Sequence, residues 1–264
     1  MTETTIGLLH PGEMGAAVGK CLAGAGHRVL WVPEGRSAAT RERAAEAGLD
    51  GCGWAEMAAR SAVIVSVCPP DAALDVARAV AGSGFRGLYL DANAVSPATA
   101  GEVAAIVAAG GADFADGGII GPPPVAPGST RLYLSGPRAA EAQALFGGTD
   151  VDARVVPPPG SASAVKMAYA SWTKGSAALL LAARALARAE GVESVLLAEW
   201  ALSQPGLEKR WDGAAAAAAA KGWRWVGEME EIAAAMAAAG LPDGFHQAAA
   251  EIYQRYSAGA EALG

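Results

Sequence analysis

The sequence predicts an α/β protein, with a doubly wound, mostly parallel N-terminal sheet followed by an all-helical second domain. Three observations lead there. Between residues 5 and 156, short apolar runs alternate with alanine-rich segments of helical length, as expected of parallel strands joined by crossover helices. The stretch Pro157-Pro158-Pro159-Gly160 continues neither a strand ladder nor a helix and marks a boundary. Beyond it the chain reads as helix. We therefore expect one domain over residues 1–158 and a second over residues 159–264, which a chain of 264 residues is long enough to form.

In chain order, the strand candidates are residues 5–9, 27–32, 62–68, 87–91, 113–116, 131–135 and 154–156. The run Val63-Ile64-Val65-Ser66-Val67 is nearly continuous in apolar residues, which suits a central strand covered on both faces. After the boundary, Ser161 or Ser163 can cap a helix over about 164–189. Further helices are expected over 194–202, 214–221, 228–239 and 245–256, with Gly240-Leu241-Pro242 as a stop signal. The alanine run 214–220 is read as helix rather than linker, because alanine is the best helix former.

Composition narrows the function. A net charge of −7 opposes nucleic-acid binding, which needs a basic face, and a small-molecule partner fits better. Cys21, Cys52 and Cys68 show no metal-binding or disulfide spacing, so neither zinc nor a disulfide is expected and a reducing, cytoplasmic setting is. The N-terminus has no basic region of the signal-peptide kind. The most apolar helix is broken by Arg184 and Arg188, so no membrane span is expected.

The segment Ile6-Gly7-Leu8-Leu9-His10-Pro11-Gly12-Glu13-Met14-Gly15 places glycines between a strand and a helix, with a second strand following. Such a turn lets backbone approach a pyrophosphate whose charge meets the helix N-terminus, so His10, Pro11, Gly12, Glu13 and Met14 are candidate cofactor contacts. His10 stands where the first glycine of G-x-G-x-x-G belongs, and histidine is among the residues less averse to positive φ. The bland alternative is a glycine-rich turn without a ligand.

This run resembles the G-F-I-G-L-G-x-M-G of the β-hydroxyacid dehydrogenase family, within the superfamily of 6-phosphogluconate dehydrogenases and imine reductases. Three later segments follow in the family's order. Val67-Cys68-Pro69-Pro70-Asp71 is similar to its L-P-D segment, Leu90-Asp91-Ala92-Asn93-Ala94-Val95-Ser96-Pro97 to its D-x-S-T-x-S-P, and Gly160-Ser161-Ala162-Ser163-Ala164-Val165-Lys166 to its G-x-G-x-x-x-K. The resemblance covers residues 5–190 well and the last 70 poorly. It implies a Rossmann domain, a nicotinamide cofactor touched by Cys68 and Pro69, and dimers that interlock their helical domains.

At the end of the second strand, an acidic residue would hydrogen-bond the ribose 2′-OH of NAD and an arginine would accept the 2′-phosphate of NADP. Here Pro33-Glu34-Gly35-Arg36-Ser37 resembles the N-R-S/T of NADP-dependent members, so Arg36 and Ser37 are expected to grip a phosphate and NADP to be preferred over NAD. Glu34 speaks for NAD, unless the longer loop turns it away.

The resemblance makes Lys166 the general acid/base, protonating a carbonyl oxygen as hydride arrives or deprotonating the hydroxyl in reverse. The alternative is an ordinary surface lysine. Asn93, just past the strand ending at Asp91, is expected to hydrogen-bond substrate or nicotinamide, or else to serve as a turn residue. His246 is a candidate proton donor, although a lone helical histidine is more often structural.

The chain departs from the pattern at three places. The serine that meets the substrate carboxylate is Ile120, the asparagine four residues after the lysine is Ala170, and the later Lys-Asp pair has no counterpart near Glu228 and Glu231. The expected reaction is hydride transfer between NADP(H) and a small hydroxy compound. An imine reductase is the rival enzyme, and a non-catalytic NADP-binding sensor is the rival from another class.

Overall fold

The computed structural model describes residues 3–257 and divides them between two compact units, the first ending at Lys166 and the second starting at Met167. The first is built on one sheet of eight strands. These are β1 Thr5–Leu9, β2 Arg28–Trp31, β3 Asp50–Gly51, β4 Val63–Ser66, β5 Leu88–Asp91, β6 Asp113–Ile120, β7 Thr130–Ser135 and β8 Val151–Val155. Their order is β3-β2-β1-β4-β5-β6-β7-β8, and every pairing is parallel except β6 with β7. Six helices accompany the strands: α1 Glu13–Gly24, α2 Ala38–Glu46, α3 Trp54–Arg60, α4 Ala73–Gly82, α5 Pro97–Ala109 and α6 Ala139–Ala144.

The alternation of side chains along each strand feeds two cores. Ile6, Leu8, Val29, Val63, Val65, Leu88 and Leu90 pack on one face with Val18 and Leu22 of α1. Leu9, Leu30, Ile64 and Tyr89 pack on the other with Met57, Ala77, Val103 and Val107 of α3, α4 and α5. Each fully buried aliphatic side chain contributes about 1.5–3 kcal/mol. Covered on both faces, the central strands need no polar alternation, which is why they read as apolar runs.

The described part of the second unit is helical. Helix α7, Ser161–Ala189, begins in the first unit, and α8 Glu193–Ser203, α9 Leu207–Ala238 and α10 Gly244–Ser257 follow. Helix α9 corrects the expectation of two helices over 214–221 and 228–239, because it runs unbroken for 32 residues. Gly222, which lies between the two expected segments, serves close packing. A Cβ there would lie 3.1 Å from Ser257 Oγ and 3.3 Å from the Tyr253 carbonyl of α10. Trp225 meets Tyr253 edge-on at 5.0 Å, and Tyr253 donates from its hydroxyl to the Lys174 carbonyl of α7 at 2.6 Å.

Candidate active site

The chain leaves β1 towards β2 on one side, while β4 lies on the other, so the C-terminal ends of β1 and β4 flank the switch point where open α/β sheets bind ligands. The turn there is His10-Pro11-Gly12. His10 has φ 62°, the only positive φ of a non-glycine among the described residues. Its carbonyl accepts from Gly12 N at 2.7 Å, which folds the turn, and a Cβ on Gly15 would come within 2.4 Å of that oxygen. Only glycine fits at position 15. Gly12 is the N-cap of α1 with no side-chain hydrogen bond, and a Cβ there would meet nothing within 4 Å. Its backbone thus faces open space at a helix N-terminus. His10 Nδ1 is buried without a partner. Open backbone, a helix start and an unmatched polar atom fit a pyrophosphate-bearing ligand. Pro11 is buried, Met14 half-buried and Glu13 exposed in the first turn of α1.

Past β2, Arg36 N donates to the Pro33 carbonyl at 3.2 Å, closing a turn in which Gly35 has φ 71°. A turn with positive φ at its third residue calls for glycine there. The turn leaves Glu34 exposed, while Arg36 is half-buried and close enough to His10 to act on its imidazole. Burial and the Arg36 guanidinium together hold the His10 imidazole near pKa 4, against an ordinary 6.5. Ser37 caps α2, its Oγ accepting from Thr40 N at 3.2 Å, and remains exposed.

Asn93 is 2% exposed. Its Oδ1 accepts from Cys68 N at 2.6 Å, its Nδ2 donates to Ser66 Oγ at 3.2 Å, and its own N–H donates to Asp91 Oδ1 at 3.0 Å. The side chain therefore ties the end of β4 to the end of β5. Cys68 is buried, its thiol pushed up to about 12 chiefly by burial, which leaves it uncharged. Pro69 follows at the half-buried start of the next turn.

Lys166 lies in the second turn of α7 and is half-buried. Its position is set by β6. A Cβ on Gly118 would lie 3.0 Å from Lys166 Cβ and 2.6 Å from the Ala162 carbonyl, so α7 rests on bare backbone there. Asp116, two residues earlier and 2% exposed, holds the helix start. Its Oδ2 accepts from Ser163 N at 3.0 Å and from Ser135 Oγ at 2.8 Å, and its Oδ1 accepts from Ser163 Oγ at 2.5 Å. Ser135 Oγ in turn accepts from Ala162 N at 3.2 Å. A buried carboxylate thus meets the positive end of a 29-residue helix. Neither Ser161 nor Ser163 acts as the expected local cap, because Ser163 sits inside the first turn and bonds to Asp116.

The register adds a residue that the sequence did not single out. Tyr133 of β7 pairs with Gly118, and directly opposed residues share a face, so Tyr133 lies on the side of the sheet that carries Lys166. Ile120 lies on that face too and is 4% exposed. Ala170, one turn beyond Lys166, is 1% exposed.

Within the second unit, His246 is 5% exposed and its Nε2 lies 3.0 Å from Ser171 Oγ of α7. Its Nδ1 is buried without a partner, and Phe245 stands edge-on to the ring at 5.1 Å. Gly175 makes room, since a Cβ there would come within 3.3 Å of His246 Nε2. Glu228 of α9 pairs with Lys174, whose ammonium lies 5.3 Å from the centre of the Trp225 ring. Sequence spacing cannot reveal the His246–Ser171 and Glu228–Lys174 pairings, because each joins residues more than fifty positions apart. Among the described residues no cluster suited to a metal occurs, and no helix is long and apolar enough to cross a membrane.

Comparisons place this architecture. Residues 187–256 match the family model DUF1932, a domain of unknown function. No curated protein matches the sequence. A conserved protein of unknown function, described as structurally similar to 3-hydroxyacid dehydrogenases, is 25% identical over 98% of each chain with a TM-score of 0.67. The 3-hydroxyisobutyrate dehydrogenase of Mycobacterium tuberculosis is 19% identical over 99% of this chain and 98% of its own, with a TM-score of 0.71. The reductive aminase of Aspergillus terreus, solved with NADPH and ethyl-5-oxohexanoate, is 23% identical over 96% of this chain and 93% of its own, with a TM-score of 0.59. The fold built on the sequence motifs is thus the one seen in a 3-hydroxyisobutyrate dehydrogenase and in imine-reducing enzymes.

Proposed function

We propose that this chain is an NADP-dependent oxidoreductase that transfers a hydride between the nicotinamide and a small hydroxy acid or related hydroxy or carbonyl compound. The observation that carries this reading is the β1–α1 turn at the switch point, where a positive-φ His10 and the bare backbone of Gly12 leave open space at a helix N-terminus. The turn of residues 10–14 would line the cofactor from its pyrophosphate to the adjoining ribose, Arg36 would hold the ribose 2′-phosphate, and Cys68 and Pro69 the approach to the nicotinamide. The cofactor, when bound, supplies or accepts the hydride.

Lys166 is assigned the proton. Mounted on Gly118 and fixed by the Asp116 network, its ammonium donates to a substrate oxygen during reduction and recovers the proton from the hydroxyl during oxidation. Asn93 positions the β4 and β5 loops through its bonds to Cys68 and Ser66. His246, bonded to Ser171, is a second proton-handling group in the helical unit. In this reading residues 1–158 bind the cofactor, residues 159–264 supply substrate contacts and the dimer interface, and the protein works in the cytoplasm. Ile120 and Ala170, both apolar and buried, remove two polar contacts of the usual carboxylate clamp, so substrate recognition differs from that of the hydroxyacid dehydrogenases.

The same absence favours imine reduction as the second reading, and retention of Lys166 opposes it. A panel of hydroxy acids, aldehydes and cyclic imines, followed by cofactor-coupled absorbance, separates the two. Turnover of hydroxy or carbonyl compounds supports the first, and turnover of imines alone the second. Tight NADPH binding without turnover of any class would favour a non-catalytic sensor.

A further inference from the structure

His10 is an odd occupant of a phosphate turn, because glycine meets the φ of 62° without strain and leaves more room. What the histidine adds is an imidazole whose Nδ1 is buried with no hydrogen-bond partner. Strands β1 and β2 are parallel neighbours, so His10, one residue past β1, and Arg36, closing the turn past β2, lie at the same edge of the sheet. That edge is where the ribose of a bound dinucleotide is recognised.

We propose that His10 and Arg36 form a two-cation clamp for the ribose 2′-phosphate of NADP, and that His10 takes up a proton from solvent as the phosphate binds. This rests on the cofactor reading above and extends it to the part played by His10. Among the described residues Arg36 makes no ion pair and no side-chain hydrogen bond, so its guanidinium is available to an anion. Arg36 is also the charged group that, with burial, lowers His10. Without a ligand the two groups cannot both be charged cheaply, so burial and Arg36 keep the imidazole neutral near pKa 4. A phosphate between them reverses the balance. It screens Arg36 and accepts a hydrogen bond from imidazolium, and the orphaned Nδ1 or its counterpart gains a partner. A neutral His10 avoids repelling Arg36 in the free protein, while the charged form adds a second donor only when a 2′-phosphate is present. NAD, with a ribose hydroxyl, draws no proton.

The sign follows from linkage. A group whose pKa rises on binding makes binding tighter as pH falls towards the bound-state pKa, and has no effect far above it. If the phosphate restores His10 to about 6.5, the histidine makes NADP⁺ bind about tenfold more tightly near pH 5.5 than near pH 7.5, with uptake of about half a proton near pH 6.5. The phosphate's own protonation runs the other way, so the readout is the difference between wild type and a variant without the imidazole. His10→Asn keeps a residue tolerant of positive φ, and His10→Gly restores the residue of the motif. Calorimetric titration of NADP⁺ and NAD⁺ in two buffers of different ionisation enthalpy counts the protons directly. Proton uptake with NADP⁺ in wild type, lost in both variants and absent with NAD⁺, is the expected result. NADP⁺ binding with equal proton uptake in wild type and variants overturns the clamp but leaves the cofactor reading standing. Failure of wild type to bind NADP⁺ overturns both.

Discussion

Gly118 lies directly beneath Lys166, where a Cβ on the glycine would sit 3.0 Å from Lys166 Cβ. The same Cβ would press to 2.6 Å from the Ala162 carbonyl, and helix backbone cannot swing aside as the end of a side chain can. Gly118→Ala should therefore cost about 1–3 kcal/mol of stability, the usual price of overpacking, and lift the start of α7 off β6. Denaturant unfolding measures the first effect. The second should appear as lost turnover with NADPH affinity unchanged, since the β1–α1 turn is untouched. A variant as stable and active as wild type would show that this contact does not set the position of Lys166.

Lys166 itself bears the proton in the proposed reaction. Lys166→Ala should lower kcat by ~10²–10⁴, typical for loss of a positioned acid/base, with cofactor affinity nearly intact. Steady-state kinetics with the best substrate from the panel, beside a fluorescence titration of NADPH, separates the two quantities. Full activity in the variant would remove the lysine from the mechanism.

Asp116 offers a test of the scaffold without touching the proposed reacting groups. Its carboxylate accepts from Ser163 N, Ser163 Oγ and Ser135 Oγ, all buried. Asp116→Ala should cost about 2–4 kcal/mol, because orphaned buried polar groups cost about 1–3 kcal/mol each and do not add fully. Thermal unfolding should show the loss, and hydrogen exchange should locate it in the first turn of α7. Exchange protection there equal to wild type would contradict the capping role.

In the proposed reading Arg36 decides between cofactors. Arg36→Ala should weaken NADPH binding by about 1.5–3 kcal/mol, the range for a charge-assisted hydrogen bond, and change NADH binding little. If the wild-type protein binds NADH as well as NADPH, the 2′-phosphate assignment fails whatever the variant does.

Legibility followed the range of the interactions. The strand β1 was readable to its ends because an apolar run with turn signals on each side is a local pattern, and the positive φ of His10 was foreseeable from its place in a glycine motif. The strand β3 was not readable, since Asp50–Gly51 is two exposed residues defined only by pairing with Leu30 and Trp31. Helix α9 reads as two segments in the sequence, because the packing that uses the bare backbone of Gly222 comes from α10 and leaves no local trace. Lys166 carries a motif and is legible as a candidate, whereas Tyr133 shares its face only through an antiparallel register. Asp116 stood in a motif, but its hold on Ser163 spans 47 residues and leaves no local trace.

The last prediction concerns assembly. Helix α7 is 29 residues and roughly 43 Å long at ~1.5 Å per residue, and large apolar side chains stand exposed along it. Tyr169 is 46% exposed, Trp172 70%, Leu179 56% and Leu186 64%. They recur at intervals of three and seven residues, which places them along one stripe of the helix, the spacing of a helix–helix seam. Val192, Val195 and Leu202 continue the exposure onto α8. Apolar patches of this extent on a single chain mark an interaction surface, and a second copy presents the same stripe to the first. The expected state is a homodimer with interlocked helical domains. Light scattering at low micromolar concentration should give about twice the 26.4 kDa chain mass. Leu179→Asp with Leu186→Asp should shift the mass towards one chain and lower thermal stability, because folding and association are then linked. A wild-type protein that stays monomeric and active at that concentration would refute the dimer, and a variant that stays dimeric would place the interface elsewhere than on this stripe.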